Sequence, residues 1–172
     1  MNPAAPVDLE VEPLSRAAFA AFGEVIEASG ASVRYPINQG SAMRFHALAQ
    51  ADCHSAGGTT LISIVRAEPR ALPFTLRLLE RHPLGSQAFV PLSAARYLIV
   101  VATSPTQRPR VFLADSGQGI NFFRGTWHHP LLALDRESDF LVVDRGGPGE
   151  NCEEQTLAQA WRIAVAAAAP IG

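Results

Sequence analysis

The side chains in this sequence best suited to moving protons are one carboxylate and two imidazoles: Glu80 and His82 in "LLERHPLG", and His128 in "RGTWHHPLLAL". Imidazole titrates near neutrality and a neighbouring carboxylate can orient it or take its proton, so the three would serve as an acid–base group or, brought closer, as ligands for a divalent ion. Side chains alternate along a strand, so in an extended "LLERHPLG" Glu80 and His82 share a face while Arg81 takes the other. The same count sets His128 opposite Trp127 and His129, and only one of the adjacent histidines can point into a barrel. His129 reads as a structural hydrogen-bonding residue and Trp127 as packing, while Glu80, His82 and His128 are three groups that could converge inside one barrel. Arg66 closes "LISIVRA" on the face shared by Ile62 and Ile64, where an unpaired guanidinium would be costly without an acid or an anionic ligand. Arg81 reads as a surface charge and Arg145 as a turn residue paired with Asp144 or another acid. Cys53 and Cys152 lie far apart without metal-site spacing and read as inert thiols, reduced in a cytoplasm.

The elements that must position these groups are short. Thirteen Gly and thirteen Pro cut the chain into apolar segments of strand length, which favours an all-β protein. "DLEVEPL" alternates as a strand; "SRAAFAAFG" offers Ser15 as N-cap and Gly23 as stop for one short helix. Seven further segments, "TTLISIVRA", "QAFVPL", "RYLIVVA", "RVFLADS", "INFFRG", "WHHPLLAL" and "DFLVVDRGG", predict strands of a sandwich or barrel. Residues 29–57 are mostly polar and Gly-containing, as expected of loops near a barrel mouth. "TLAQAWRIAVAAAAPIG" is open between helix and strand.

With 172 residues, 48% of them apolar and 17% charged, the chain can bury one sizeable core, and a single domain over 1–172 is expected. A formal net charge of -2 without a run of like charge argues against nucleic acid. No segment approaches the roughly 20 apolar residues that span a bilayer, and the N-terminus has no signal-like pattern, so a cytoplasmic protein without a membrane partner is expected.

"LLERHPLGSQAFVPL", "GINFFRGTWHHPLLAL" and "DFLVVDRGG" together resemble the ureidoglycolate lyases, formerly called ureidoglycolate hydrolases, over most of the chain. The resemblance implies a cupin-like double-stranded β-helix, a jelly-roll barrel with one or two short helices. It also implies a homodimer that cleaves (S)-ureidoglycolate to glyoxylate and urea in allantoin and purine degradation. Laid on the wider cupin pattern, Glu80, His82, Gln87 and Phe89 match the first motif, and Phe123, Gly125 and His128 the second. A metal-binding cupin has three histidines and a carboxylate; here Gln87 stands among the ligands, and a neutral amide binds divalent ions weakly.

That substrate implies roles. Glu80, His82 and His128 would be catalytic. Arg66 and Arg44 are the candidates to grip the substrate carboxylate, and Gln87 and Asn38 to hydrogen-bond the urea amide. The proton transfers require no cofactor; if a divalent ion, nickel or zinc, is bound, Glu80, His82 and His128 are its ligands. Two other readings stand beside this one: a metal-dependent cupin oxygenase or isomerase acting on another small acid, and a non-catalytic barrel that binds a small carboxylate.

Overall fold

Turn formers break the chain into short segments, which pair into two facing sheets. The computed structural model describes residues 5–31 and 33–164. In chain order its elements are β1 (Val7–Leu9), β2 (Val11–Pro13), α1 (Arg16–Phe19), β3 (Gly23–Ile26), β4 (Arg34–Ile37), β5 (Ala42–Phe45), β6 (Thr59–Ala67), β7 (Phe74–Arg81) and β8 (Gln87–Pro91). They continue with β9 (Tyr97–Ala102), β10 (Arg110–Ala114), β11 (Gly119–Phe122), β12 (Trp127–His128), β13 (Leu132–Ala133), β14 (Ser138–Gly146) and β15 (Glu153–Ile163). The larger sheet runs β1-β15-β7-β12-β9-β10-β2, with β13 also on β9; the smaller runs β3-β11-β8-β14-β6. Strands β4 and β5 form a hairpin that joins neither. The all-β architecture expected from the strand pattern, and the cupin-like barrel that the resemblance implied, are what the chain forms.

Alternation on β9 shows how the core is divided. Tyr97, Ile99 and Val101 enter the space between the sheets, together with Phe89, Phe112, Ile120, Phe122, Phe140 and Val142. Leu98, Val100 and Ala102 enter a second cluster on the reverse face, with Val111, Leu113 and Leu132. Every β9 residue is buried, which explains its uninterrupted apolar run.

Several boundaries differ from the sequence reading. Ser15 does cap α1, its hydroxyl accepting from the Ala18 amide at 3.2 Å, but the helix ends after one turn. Gly23 is not its stop: it opens β3, and a Cβ there would lie 2.1 Å from the Asn121 carbonyl oxygen of the paired strand. "WHHPLLAL" is split into β12 and β13 at Pro130, which has no N–H to give a ladder. The segment 29–57 holds the β4–β5 hairpin as well as loops. The C-terminal ambiguity resolves as strand through Ile163, antiparallel to β7 and parallel to β1; the alanine-rich residues from 165 onward lie outside the described residues.

Candidate active site

Strand pairing brings the proton-transfer groups together. His128 on β12 lies directly across from Glu80 on β7, and Glu154 on β15 lies across from Glu80 on the other side. Directly paired residues point the same way, so His128, Glu80 and Glu154 make one row across three strands, with His82 two residues further on the Glu80 side. The Glu80 Oε1 to His128 Nε2 distance is 3.4 Å and the Glu80 Oε1 to His82 Nε2 distance 3.9 Å. The imidazole centroids are 5.2 Å apart. His128 is the buried floor of the group, 2% exposed, while His82 and Glu80 side chains keep 16% and 17% toward solvent.

Local structure fixes the tautomers. His82 Nδ1 lies 2.6 Å from the Asn151 carbonyl oxygen and His128 Nδ1 2.8 Å from that of Thr126. A carbonyl can only accept, so each Nδ1 carries a proton, and in the neutral ring each Nε2 presents a lone pair. Both Nε2 atoms are buried and without a hydrogen-bond partner among the described residues. The Phe122 ring stacks on His128 at 4.2 Å and 15°, holding the imidazole in plane. Burial pushes the Glu80 carboxyl upward, but the adjoining imidazoles of His128 and His82 outweigh it and hold the group below the ordinary glutamate range. Glu80 is therefore a carboxylate at neutral pH.

These atoms fit a divalent cation. One carboxylate oxygen and two imidazole nitrogens from Glu80, His82 and His128 lie within 4.8 Å of one another, with free lone pairs and with both second nitrogens anchored on carbonyls. Glu80 also groups with Cys152 and Glu154 on the same criterion. Desolvation, then the charges of Glu80 and Glu154, hold the Cys152 thiol above its usual value, which agrees with an inert cysteine.

The opposite wall comes from the smaller sheet. Phe122 on β11 pairs with Gln87 on β8, and Gln87 Nε2 reaches Asp144 Oδ2 on β14 at 3.5 Å. Phe140 and Val142 face the inner core, so Asp144, two further along β14, faces inward as well. A cavity of about 20 Å³ lined by Glu80, Phe122, His128 and core residues adjoins the group on the core side. That is room for roughly one water, so a substrate must approach from the side on which His82, Gln87 and Asp144 are part-exposed.

The remaining expected residues fall elsewhere. Arg66 is paired across the ladder with Asp139, and because Phe140 faces the core both point to the outer face. There the guanidinium is taken up by Asp139 at 2.7 and 2.9 Å, so within this chain Arg66 is not at the triad: an acid, not an anionic ligand, meets it. Asn38 sits at the turn of the β4–β5 hairpin in left-handed conformation, φ 52°, and Arg44 on β5. Neither side chain makes a hydrogen bond or ion pair among the described residues. Arg145 is buried but meets no acid among the described residues; its guanidinium donates to the carbonyls of Ser55, Ala56 and Pro148, pinning the 55–57 turn. His129 lines the same small cavity as Glu80 and His128, with its Nδ1 against the Pro130 carbonyl and its ring edge-on to Phe74; burial lowers its pKa. The sequence reading missed Asp144 as an inward group, although Phe140, Val142 and Asp144 in "DFLVVDRGG" share one side of an alternating strand.

A family model described as ureidoglycolate lyase matches residues 6–164. Over 159 residues the chain is 55% identical to a ureidoglycolate lyase of Burkholderia cepacia, covering 90% of this chain and 89% of that one. Ureidoglycolate lyase 1 of Rhizobium meliloti is 52% identical over 158 residues, covering 90% and 92%. A ureidoglycolate lyase of Pseudomonas fluorescens is 48% identical over 162 residues, covering 92% and 96%.

Proposed function

The chain belongs to the ureidoglycolate lyase family, and from that premise we infer that it is a carbon–nitrogen lyase that splits ureidoglycolate into glyoxylate and urea. The observation that carries the mechanism is the pair of free Nε2 lone pairs flanking the Glu80 carboxylate inside the barrel. Ureidoglycolate bears a hydroxyl and a ureido nitrogen on one carbon, so it already stands at the tetrahedral stage of addition to an aldehyde. Collapse requires a base for the hydroxyl proton and an acid for the departing nitrogen. Of His82 and His128, one takes the hydroxyl proton at Nε2 while the other, protonated at Nε2, gives its proton to urea. The Glu80 carboxylate lies between them and orients both rings. No net proton or electron is consumed.

Glu80, His82 and His128 would also hold a divalent ion such as nickel or zinc, which when bound would supply Lewis acidity toward the substrate hydroxyl or carboxylate. The substrate carboxylate calls for a guanidinium. With Arg66 committed to Asp139, Arg44 on the hairpin is the remaining candidate of the two, with Asn38 beside it for the urea amide. A homodimer is supported by β6, an edge strand on which Leu61, Ile62, Ile64 and Val65 are exposed. No helix among the described residues is long and apolar enough to cross a membrane. A cytoplasmic place in allantoin degradation, where glyoxylate and urea are released from purine nitrogen, completes the proposal.

The test is incubation with ureidoglycolate while glyoxylate, urea and ammonia are quantified, before and after chelation. Equimolar glyoxylate and urea without ammonia is the expected result. Ammonia in place of urea would mean hydrolysis at the urea carbonyl, and no turnover of either kind would end the lyase reading.

A further inference from the structure

Four buried side-chain polar atoms lack a hydrogen-bond partner among the described residues: His82 Nε2, His128 Nε2, Gln87 Oε1 and Asn121 Oδ1. Asn121 alternates with the inward Phe122 and belongs to the outer face, where its amide donates to Glu24 and the Gln50 carbonyl. The other three occupy one end of the barrel. The two imidazole nitrogens are accounted for by proton transfer; Gln87 Oε1 is not. A buried acceptor without a donor costs about 1–3 kcal/mol, and native proteins rarely leave one without a ligand or water to meet it.

What surrounds Gln87 Oε1 defines the missing group. Gln87 Nε2 sits 3.5 Å from Asp144 Oδ2, at the outer limit of a hydrogen bond, so the amide is only loosely held. Asp144 is acceptor-only when ionised, and it accepts from no other side chain or backbone N–H described. Beside one weak donor the wall therefore presents two acceptors, Gln87 Oε1 and the Asp144 carboxylate. A ureido group, with three N–H donors around one carbonyl, is the complement of that set. A carboxylate is its opposite and would be repelled by Asp144.

Resting on the lyase reading above, we propose that Gln87 and Asp144 form the subsite for the ureido group, with Asp144 as the residue that sets specificity for it. Asp144 accepts from the terminal amide nitrogen, Gln87 Oε1 accepts a second N–H, and Gln87 Nε2 leaves Asp144 to donate to the ureido carbonyl. The scissile nitrogen then faces the imidazoles across the barrel, and the substrate carboxylate is directed away from Asp144, toward the opening.

The test separates the two ends of the substrate. N-carbamoylglycine carries the ureido group and carboxylate but no hydroxyl, and glycolate carries the carboxylate and hydroxyl but no ureido group; neither can undergo the elimination. Binding of each is measured by titration calorimetry to the full-length wild-type protein and to Asp144→Asn and Gln87→Met, whose melting temperatures show whether they fold. Both variants are expected to weaken N-carbamoylglycine about tenfold or more, Gln87→Met by removing two hydrogen bonds and Asp144→Asn by removing the charge of the acceptor, while glycolate changes by less than about twofold. Gln87→Met alone suffices should Asp144→Asn fail to fold. Equal losses for both ligands, unchanged N-carbamoylglycine affinity, or no binding of N-carbamoylglycine by the wild type overturns the assignment. Because these are binding measurements, absent turnover in the product assay counts against the lyase reading and leaves the subsite result separately interpretable.

Discussion

At one end of the barrel, Glu80, His82 and His128 are packed beside Phe122, with His128 2% exposed and two ring nitrogens lacking partners among the described residues. On β6, at the far edge of the smaller sheet, Leu61, Ile62, Ile64 and Val65 face solvent, Ile62 with 73% of its surface exposed. The first place buries polar groups and the second exposes apolar ones, and each costs folding free energy that neighbouring residues do not offset. The difference lies in what would remove the cost. Converging lone pairs and a carboxylate suit a small polar substrate or an ion, whereas an unpaired edge with apolar side chains suits another protein surface. Arg66 lies on the second and is paired with Asp139, away from the Glu80 group.

The two regions can be pulled apart by mutation. The largest effect is expected from His128→Ala, which should lower kcat on ureidoglycolate by about 10²- to 10⁴-fold in a protein with wild-type circular dichroism; a folded variant with full turnover would take His128 out of the reaction. Next, Glu80→Gln keeps the shape of the side chain and removes the charge between the rings. A loss of about tenfold or more in kcat is expected, with the melting temperature preserved or raised by relief of a desolvated charge, and unchanged kinetics would reduce Glu80 to a spacer. Replacing Ile62 and Ile64 together by Asp should instead weaken self-association by about a hundredfold, read by analytical ultracentrifugation, with the chemical step retained. A wild-type protein that is monomeric at all concentrations would remove β6 as a dimer surface. Smallest is Arg66→Ala: exposed ion pairs contribute little, so turnover and melting temperature should stay within error, and a specific rise in KM would return Arg66 to the substrate.

How much of this was legible beforehand differs by element. The β9 run "YLIVVA" and the β6 run "TTLISIVRA" are both strands as read, yet one is buried on both faces and the other exposed on both. Local pattern distinguishes strand from helix but cannot say which strand lies at an edge, because that is set by partners far away in sequence. That Glu80 and His82 share a face, and that only one of His128 and His129 can point inward, followed from the two-residue repeat; the choice of His128 came from the family resemblance. Asp144 was overlooked for the opposite reason: adjacency to Arg145 suggested an ion pair, while the fold turned Arg145 toward three carbonyls and Asp144 toward Gln87. Arg66 was correctly placed on the Ile62 and Ile64 face, but nothing in the segment revealed that this face is the outer one.

Taken alone, the order of amino acids determined the strand periods, the turn positions, the helix cap at Ser15 and the set of side chains able to move protons, since all of these depend on neighbours within a few residues. The tertiary structure decided which of those side chains meet. Bringing His128 across from Glu80, or Gln87 beside Asp144, depends on the register of strands separated by some fifty residues, and register is a property of the whole packed barrel: a slip of one residue would send each of these groups to the opposite face.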